Sequence, residues 1–114
     1  MSTARRKYYC TVELALDRLK GKWKPAIIYH LKAGGVRFGE LKRRIPGIST
    51  KMLTLHLRQL EADQIVRRTD IKPQSPREVT YDLSPHAKEI RTVLAQLHRW
   101  GRRYARTYGI ETSV

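Results

Sequence analysis

The dipeptide Pro46-Gly47 sits between two short amphipathic stretches, and it restricts this chain more than any other feature. Upstream, GELKRRI reads as a helix of about two turns, with Phe38, Leu41 and Ile45 on one face. Proline and glycine together then force a tight turn. Downstream, Ser49 is a good N-cap for a helix from Thr50 to about Asp63. At about 100° per residue, Leu53, Leu57 and Leu60 fall within about 60° of arc and form a core stripe.

A helix joined to another through a tight glycine turn is a helix-turn-helix arrangement. The second helix of such a pair enters the DNA major groove with its N-terminal residues leading. On this chain Lys51, Leu55 and Arg58 point away from the leucine stripe, with Thr54 and Gln59 on the flanks. Lysine and arginine donate to guanine O6 and N7, threonine reaches base edges or phosphate, and an apolar side chain touches the thymine methyl. Lys51, Thr54, Leu55 and Arg58 are therefore the candidate base-reading residues. The competing interpretation is a solvated helix face carrying one stray exposed leucine.

The neighbours favour the first interpretation. Lys42, Arg43 and Arg44 crowd the preceding helix. After the reading helix, IVRRTDI and VTYDL bracket the polar, proline-containing stretch KPQSPRE and read as a hairpin with a wide loop. A helix-turn-helix followed at once by a hairpin is a winged helix, here with the wing at about 65–83. Arg67, Arg68, Lys72, Gln74 and Arg77 on that wing, with Arg43, Arg44, Ser49 and Thr50, are the candidate backbone contacts. An ordinary exposed hairpin is the alternative.

Charge points the same way. Twenty-four Lys and Arg stand against ten Asp and Glu in 114 residues, a net charge of +14. Such a field suits nucleic acid or an anionic membrane surface. The densest positive block, residues 37–58, sets Arg37, Lys42, Arg43, Arg44, Lys51 and Arg58 against Glu40 alone. The length suits one domain, expected over 10–108 between a basic arm at 1–9 and a short tail at 109–114. No apolar run approaches the roughly 20 residues of a membrane span. MSTARRKYYC lacks the apolar core of a signal peptide, which makes the cytoplasm the expected compartment. His30, His56, His86 and His98 show no metal-ligand spacing with one another or with Cys10. There is no glycine-rich phosphate loop and no nucleophile elbow. Neither an enzyme nor a metal or other cofactor is expected.

Around this unit, Val12, Ala15, Leu16 and Leu19 mark a first helix ending at Gly21. A second helix is expected from Pro25 to the Gly34-Gly35 pair, followed by a short link, VRF. Ser84-Pro85 opens a last helix to about Tyr108, or roughly 35 Å. The expected class is mainly α with a small β-hairpin wing: a winged helix-turn-helix with added N- and C-terminal dimerisation helices. Val12 and Leu16 of the first helix and Leu94, Leu97, Trp100 and Tyr104 of the last are the candidate interface of a homodimer.

The segments GKWKPAIIYHL (21–31), RFGELKRRIPGISTKMLTLHLRQLEAD (37–63), VTYDLS (79–84) and LHRW (97–100) resemble the HxlR-type winged helix-turn-helix regulators, relatives of the MarR group. The resemblance spans about residues 10–100. It implies a bacterial or archaeal homodimeric transcription regulator whose first and last helices build the dimer and whose middle helices and wing meet double-stranded DNA. Three positions depart from the family pattern. Gln64 and Ala87 stand where glycine is usual, and Thr11 stands where proline commonly follows the cysteine.

Cys10 opens the first helix behind Arg5, Arg6 and Lys7. A helix N-terminus and nearby cations both favour the thiolate. The resemblance adds that some members use a cysteine at this position to sense oxidants or electrophiles. A small buried hydrophobe is the alternative. The expected function is thus a sequence-specific regulator acting as a homodimer on a palindromic operator, with Cys10 as candidate sensor. A sequence-indifferent nucleoid protein is the other function that the charge would serve.

Overall fold

The computed structural model describes residues 7–31, 35–72 and 78–113. In chain order these residues form α1 (Thr11–Leu19), α2 (Lys24–His30), β1 (Val36–Arg37), α3 (Phe38–Arg44), α4 (Thr50–Ala62), β2 (Val66–Lys72), β3 (Glu78–Leu83) and α5 (Lys88–Tyr108). A single 3-10 turn, Pro85–Ala87, leads into α5. Three antiparallel strands in the order β1-β3-β2 back the helices, so the chain is a winged helix-turn-helix.

Residues from every helix but α1 and α5 fill one buried core. Ile27, Ile28 and Leu31 come from α2 and its end, Leu41 and Ile45 from α3 and its end, and Leu53, Leu57 and Leu60 from α4. Val36, Val66 and Leu83 close it from the sheet. The leucine stripe of α4 is buried as its spacing requires, and Leu19, Trp23, Phe38, Ile90 and Leu94 pack around the margin.

Two boundaries differ from the sequence expectation. α2 stops at His30, because Leu31 leaves the helix in an extended conformation and turns wholly into the core. The carbonyl of His30 is taken instead by Arg44, whose Nη1 donates to it at 3.1 Å. The VRF link is also more than a link. Val36 pairs with Tyr81 and Arg37 with Thr80, giving the sheet a third strand. Gly35 makes that approach possible. It has φ +87°, and a Cβ there would lie 2.9 Å from both Cβ and Oγ1 of Thr80.

α4 ends in a Schellman motif. The Ile65 N–H donates to Leu60 O at 2.9 Å and the Gln64 N–H to Glu61 O at 3.0 Å. The motif needs a left-handed residue at its centre, and Gln64 occupies that place with φ 64°. A side chain in this region costs about 1–2 kcal/mol. The buried Leu60 and Ile65 hold the turn, and His86 Nε2 makes a 2.6 Å hydrogen bond with the Gln64 carbonyl. Gln64→Gly should therefore raise the unfolding free energy by about 0.5–1 kcal/mol after the larger chain entropy of glycine is counted. Urea titration measures this, and a loss of stability would show that the left-handed backbone is not strained here.

Candidate nucleic-acid interface

α4 begins with Ser49 as its N-cap, whose Oγ accepts from the Met52 N–H at 3.0 Å. That bond fixes the first turn and commits the Ser49 hydroxyl to the helix. Away from the leucine stripe the helix exposes Thr50, Lys51, Met52, Leu55, Arg58 and Gln59. Leu55 is 45% exposed, against none for Leu53 and Leu60, so periodicity separates the two faces cleanly. Met52, 37% exposed, belongs to the outer face and was missed as a candidate. Its neighbour, Leu53, belongs to the core stripe, and the face on which Met52 lies is wider than the Lys51-Leu55-Arg58 line. Thr54 is half-buried and, with Arg58, Glu61, Arg68 and Tyr81, lines a polar groove between α4 and the sheet.

The flanking cations take distinct places. Arg43 is exposed and pairs with Glu40 at 2.8 Å at the protein surface. Arg44 is turned inward, braced between Glu40 at 2.7 Å and the His30 carbonyl, so it ties α3 to α2. The Arg44 hydrogen bond and charge, helped by Arg43, hold the Glu40 carboxyl below its usual range. The net result is a shallow basic depression lined by Arg37, Arg43 and Arg44 around Glu40.

On the wing, Arg67 and Arg68 lie on opposite faces of β2. Arg67 reaches its cross-strand partner Asp82 at 3.1 Å. Arg68 stands opposite Tyr81 and pairs with Asp70 at 3.4 Å. Gln74 and Arg77 lie outside the described residues, as does the side chain of Lys72.

The comparisons with known proteins fall on the same unit. The sequence profile described as HxlR-like helix-turn-helix matches residues 18–108. The chain belongs to the HxlR-like helix-turn-helix family. Among relatives of this HxlR-like chain, the uncharacterized HTH-type transcriptional regulator YtcD of Bacillus subtilis is 41% identical over 111 residues, covering 96% of this chain and 87% of its own. An uncharacterized HTH-type transcriptional regulator of Methanothermobacter thermautotrophicus is 40% identical over 98 residues, covering 86% of this chain and 74% of its own. Among solved structures, the redox regulator HypR in its reduced form superposes with a TM-score of 0.80 at 37% identity, covering 90% of this chain and all of that one. The oxidized form of HypR gives 0.73. This HxlR-like protein is thus a DNA-binding transcription regulator of the winged-helix type and not an enzyme.

Two further candidate regions sit apart from the reading face. Cys10 is exposed and serves as the N-cap residue of α1, its carbonyl accepting from the Leu14 N–H at 3.2 Å. Glu13 accepts from the Tyr9 N–H at 2.5 Å and settles the same helix start. Tyr8 then donates to Asp17 at 2.7 Å, pinning the segment before Cys10 along α1.

On α5 and α1, Val12, Leu16, Leu97, Trp100 and Tyr104 are 46–64% exposed. Leu94 differs, because it packs against the core of its own chain. Val93, at 52% exposed, takes the outward place next to it. Trp100, Tyr104 and Tyr108 stack in a row, with ring centroids 5.1 and 4.8 Å apart. Among the described residues no helix is long and apolar enough to cross a membrane.

Proposed function

We propose that this protein is a sequence-specific regulator that binds a palindromic operator as a homodimer, reading bases with α4 and holding phosphates with the flanking cations. The observation that carries the reading is the outer face of α4. There an apolar residue, Leu55, stands between Lys51 and Arg58 on a helix whose opposite stripe is buried. Lys51, Thr54, Leu55 and Arg58, joined by Met52, choose sequence. Arg43, Thr50, Arg67, Arg68 and the wing residues Lys72, Gln74 and Arg77 supply affinity. Base contacts discriminate among sequences, whereas phosphate contacts release counterions whatever the sequence.

The test is a pair of substitutions. Arg58→Ala should cost about 1–3 kcal/mol on the true site and relax the preference at one base position. Arg77→Ala should weaken all duplexes alike and flatten the salt dependence by about one unit of log–log slope. Exchange of these two behaviours would overturn the assignment of reading helix and wing.

Dimerisation is supported by the shape of the chain and by its bare apolar surface. The radius of gyration is 15.5 Å, against about 13 Å for a compact chain of this length. The 21-residue α5, about 30 Å long, presents the Val93-Leu97-Trp100-Tyr104-Tyr108 row, 46–66% exposed among the described residues. Two-fold pairing through α5 and α1 would set two copies of α4 about 34 Å apart, one turn of DNA.

Cys10 is the proposed point of control. Its exposure and its place at the start of an interface helix support this, as does the likeness to a redox regulator solved in two oxidation states. Two Cys10 thiols facing each other across the dimer could be oxidised to a disulfide, giving two protons and two electrons to a hydroperoxide that leaves as alcohol and water. A quinone could instead alkylate one of them. Either change would act by shifting the spacing of the reading helices, and a coupling of about 1–3 kcal/mol is enough for a switch. Operator affinity should change on adding hydroperoxide or quinone to the native protein and stay constant for Cys10→Ser. An equal response from both would make Cys10 a structural residue.

A further inference from the structure

We infer that Lys22, held on the indole of Trp23 above the helix-turn-helix turn, is a DNA-backbone contact beside the leading end of the reading helix. The inference rests on the reading of α4 as the DNA-entering helix and adds a phosphate site outside the helix-turn-helix and the wing. The α1–α2 connection, KGKWK, carries three lysines in five residues. They do not share one fate. Lys20 is paired with Asp17 at 3.0 Å. Lys24 is half-buried in the first turn of α2. Lys22 is exposed, and among the described residues no carboxylate pairs with it. Its ammonium lies 4.7 Å from the centre of the Trp23 ring.

Trp23 fixes where that ammonium stands. A Cβ built on Gly47 would lie 3.7 Å from Cη2 of Trp23, so the far edge of the indole covers the turn between α3 and α4. Gly47 has φ +93° and lies two residues before the Ser49 N-cap. The ring therefore bridges the loop before α2 to the start of α4. A cation over a tryptophan face within about 6 Å is attracted by the ring while its other side stays open to solvent. That arrangement limits the wandering of a long side chain before DNA arrives and so lowers the entropy lost on contact. Because the reading helix enters the groove N-terminus first, the phosphates bordering the groove lie beside this end. Lysine suits them as a compact point charge.

The experiment measures duplex affinity between about 50 and 200 mM salt, on a selected operator and on a scrambled duplex. The proteins are native, Lys22→Gln, Lys22→Arg, Arg58→Ala and Arg102→Gln. The last removes a positive charge from the exposed face of α5 and controls for long-range field. Lys22→Gln should weaken operator and scrambled duplex by a common factor, on the order of tenfold for the two protomers together. It should also flatten the salt slope by about 0.9 for each protomer. Lys22→Arg should restore both, and Arg102→Gln should leave the slope as in the native protein. If Arg58→Ala loses sequence preference while Lys22→Gln matches Arg102→Gln, the Lys22 site is wrong and the reading of α4 stands. If the native protein binds neither duplex in a salt-dependent way, the reading of α4 falls and this site falls with it.

Discussion

Trp100→Glu should leave the winged unit folded and remove most of the operator affinity. Trp100 is 55% exposed on α5, in the row that begins at Val93 and ends at Tyr108, so its own protomer loses little packing when it changes. The proposed partner loses much more. A carboxylate would be forced into an apolar two-fold interface, and symmetry would place a second one beside it. Without the partner, each protomer brings one reading helix to the operator instead of two joined ones. The joint occupancy that multiplies affinity by about 10²–10⁴ is then lost. Sedimentation should give the mass of one chain, and binding to the full operator should approach that to a half-site. A monomer with native operator affinity would show that α5 has no part in recognition. A dimer with native affinity would show that the interface lies elsewhere.

The second large effect separates the two faces of α4. Leu57 is 2% exposed within the core, and Leu57→Ala should cost about 2–5 kcal/mol through lost burial and the cavity left behind. Small domains hold only about 5–15 kcal/mol in all, and at about 4 °C per kcal/mol for a chain of this length this variant should melt about 8–20 °C below the native protein. Leu55 is two residues away and 45% exposed. Leu55→Ala should change stability by less than about 0.5 kcal/mol and yet alter the preferred operator sequence. Thermal unfolding followed by circular dichroism reads the first effect and in vitro selection the second. A large stability loss at Leu55, or none at Leu57, would mean that the helix is rotated relative to the buried stripe described here.

Much of this was legible because helical periodicity reports burial. Three leucines at 53, 57 and 60 can share a core only on one side, which leaves Lys51, Leu55 and Arg58 outside. The second wing strand could be read from the alternation of Val79, Tyr81 and Leu83, although burial does not follow it, since Leu83 is buried and Thr80 and Asp82 are half-buried just as Val79 and Tyr81 are. β1 could not be, because two residues carry no period and the pairing with Thr80 and Tyr81 is a contact distant in sequence. The role of Arg44 was hidden for a similar reason. In sequence it is one cation among three, and only the early end of α2 at His30 gives it an acceptor inside the fold. On α5 apolar residues occupy more than one side, so spacing alone could not tell Leu94, which faces its own core, from Val93, which faces out. Gln64 shows the converse. A departure from the usual glycine raised the question of a left-handed residue, and the backbone adopts that conformation all the same, held by packing and by His86.

If α4 selects sequence, the ratio of two affinities shows it. Sites would be selected from a random duplex library with the native protein. Affinity for the selected site and for a scrambled duplex would then be measured at one fixed salt concentration, near 0.15 M. Sequence selection by α4 predicts a palindromic site with half-sites about one helical turn apart, bound at least about 10³-fold more tightly than the scrambled duplex. Selection that returns no common sequence, with the two duplexes bound equally, would contradict it and make this protein a sequence-indifferent DNA-coating protein.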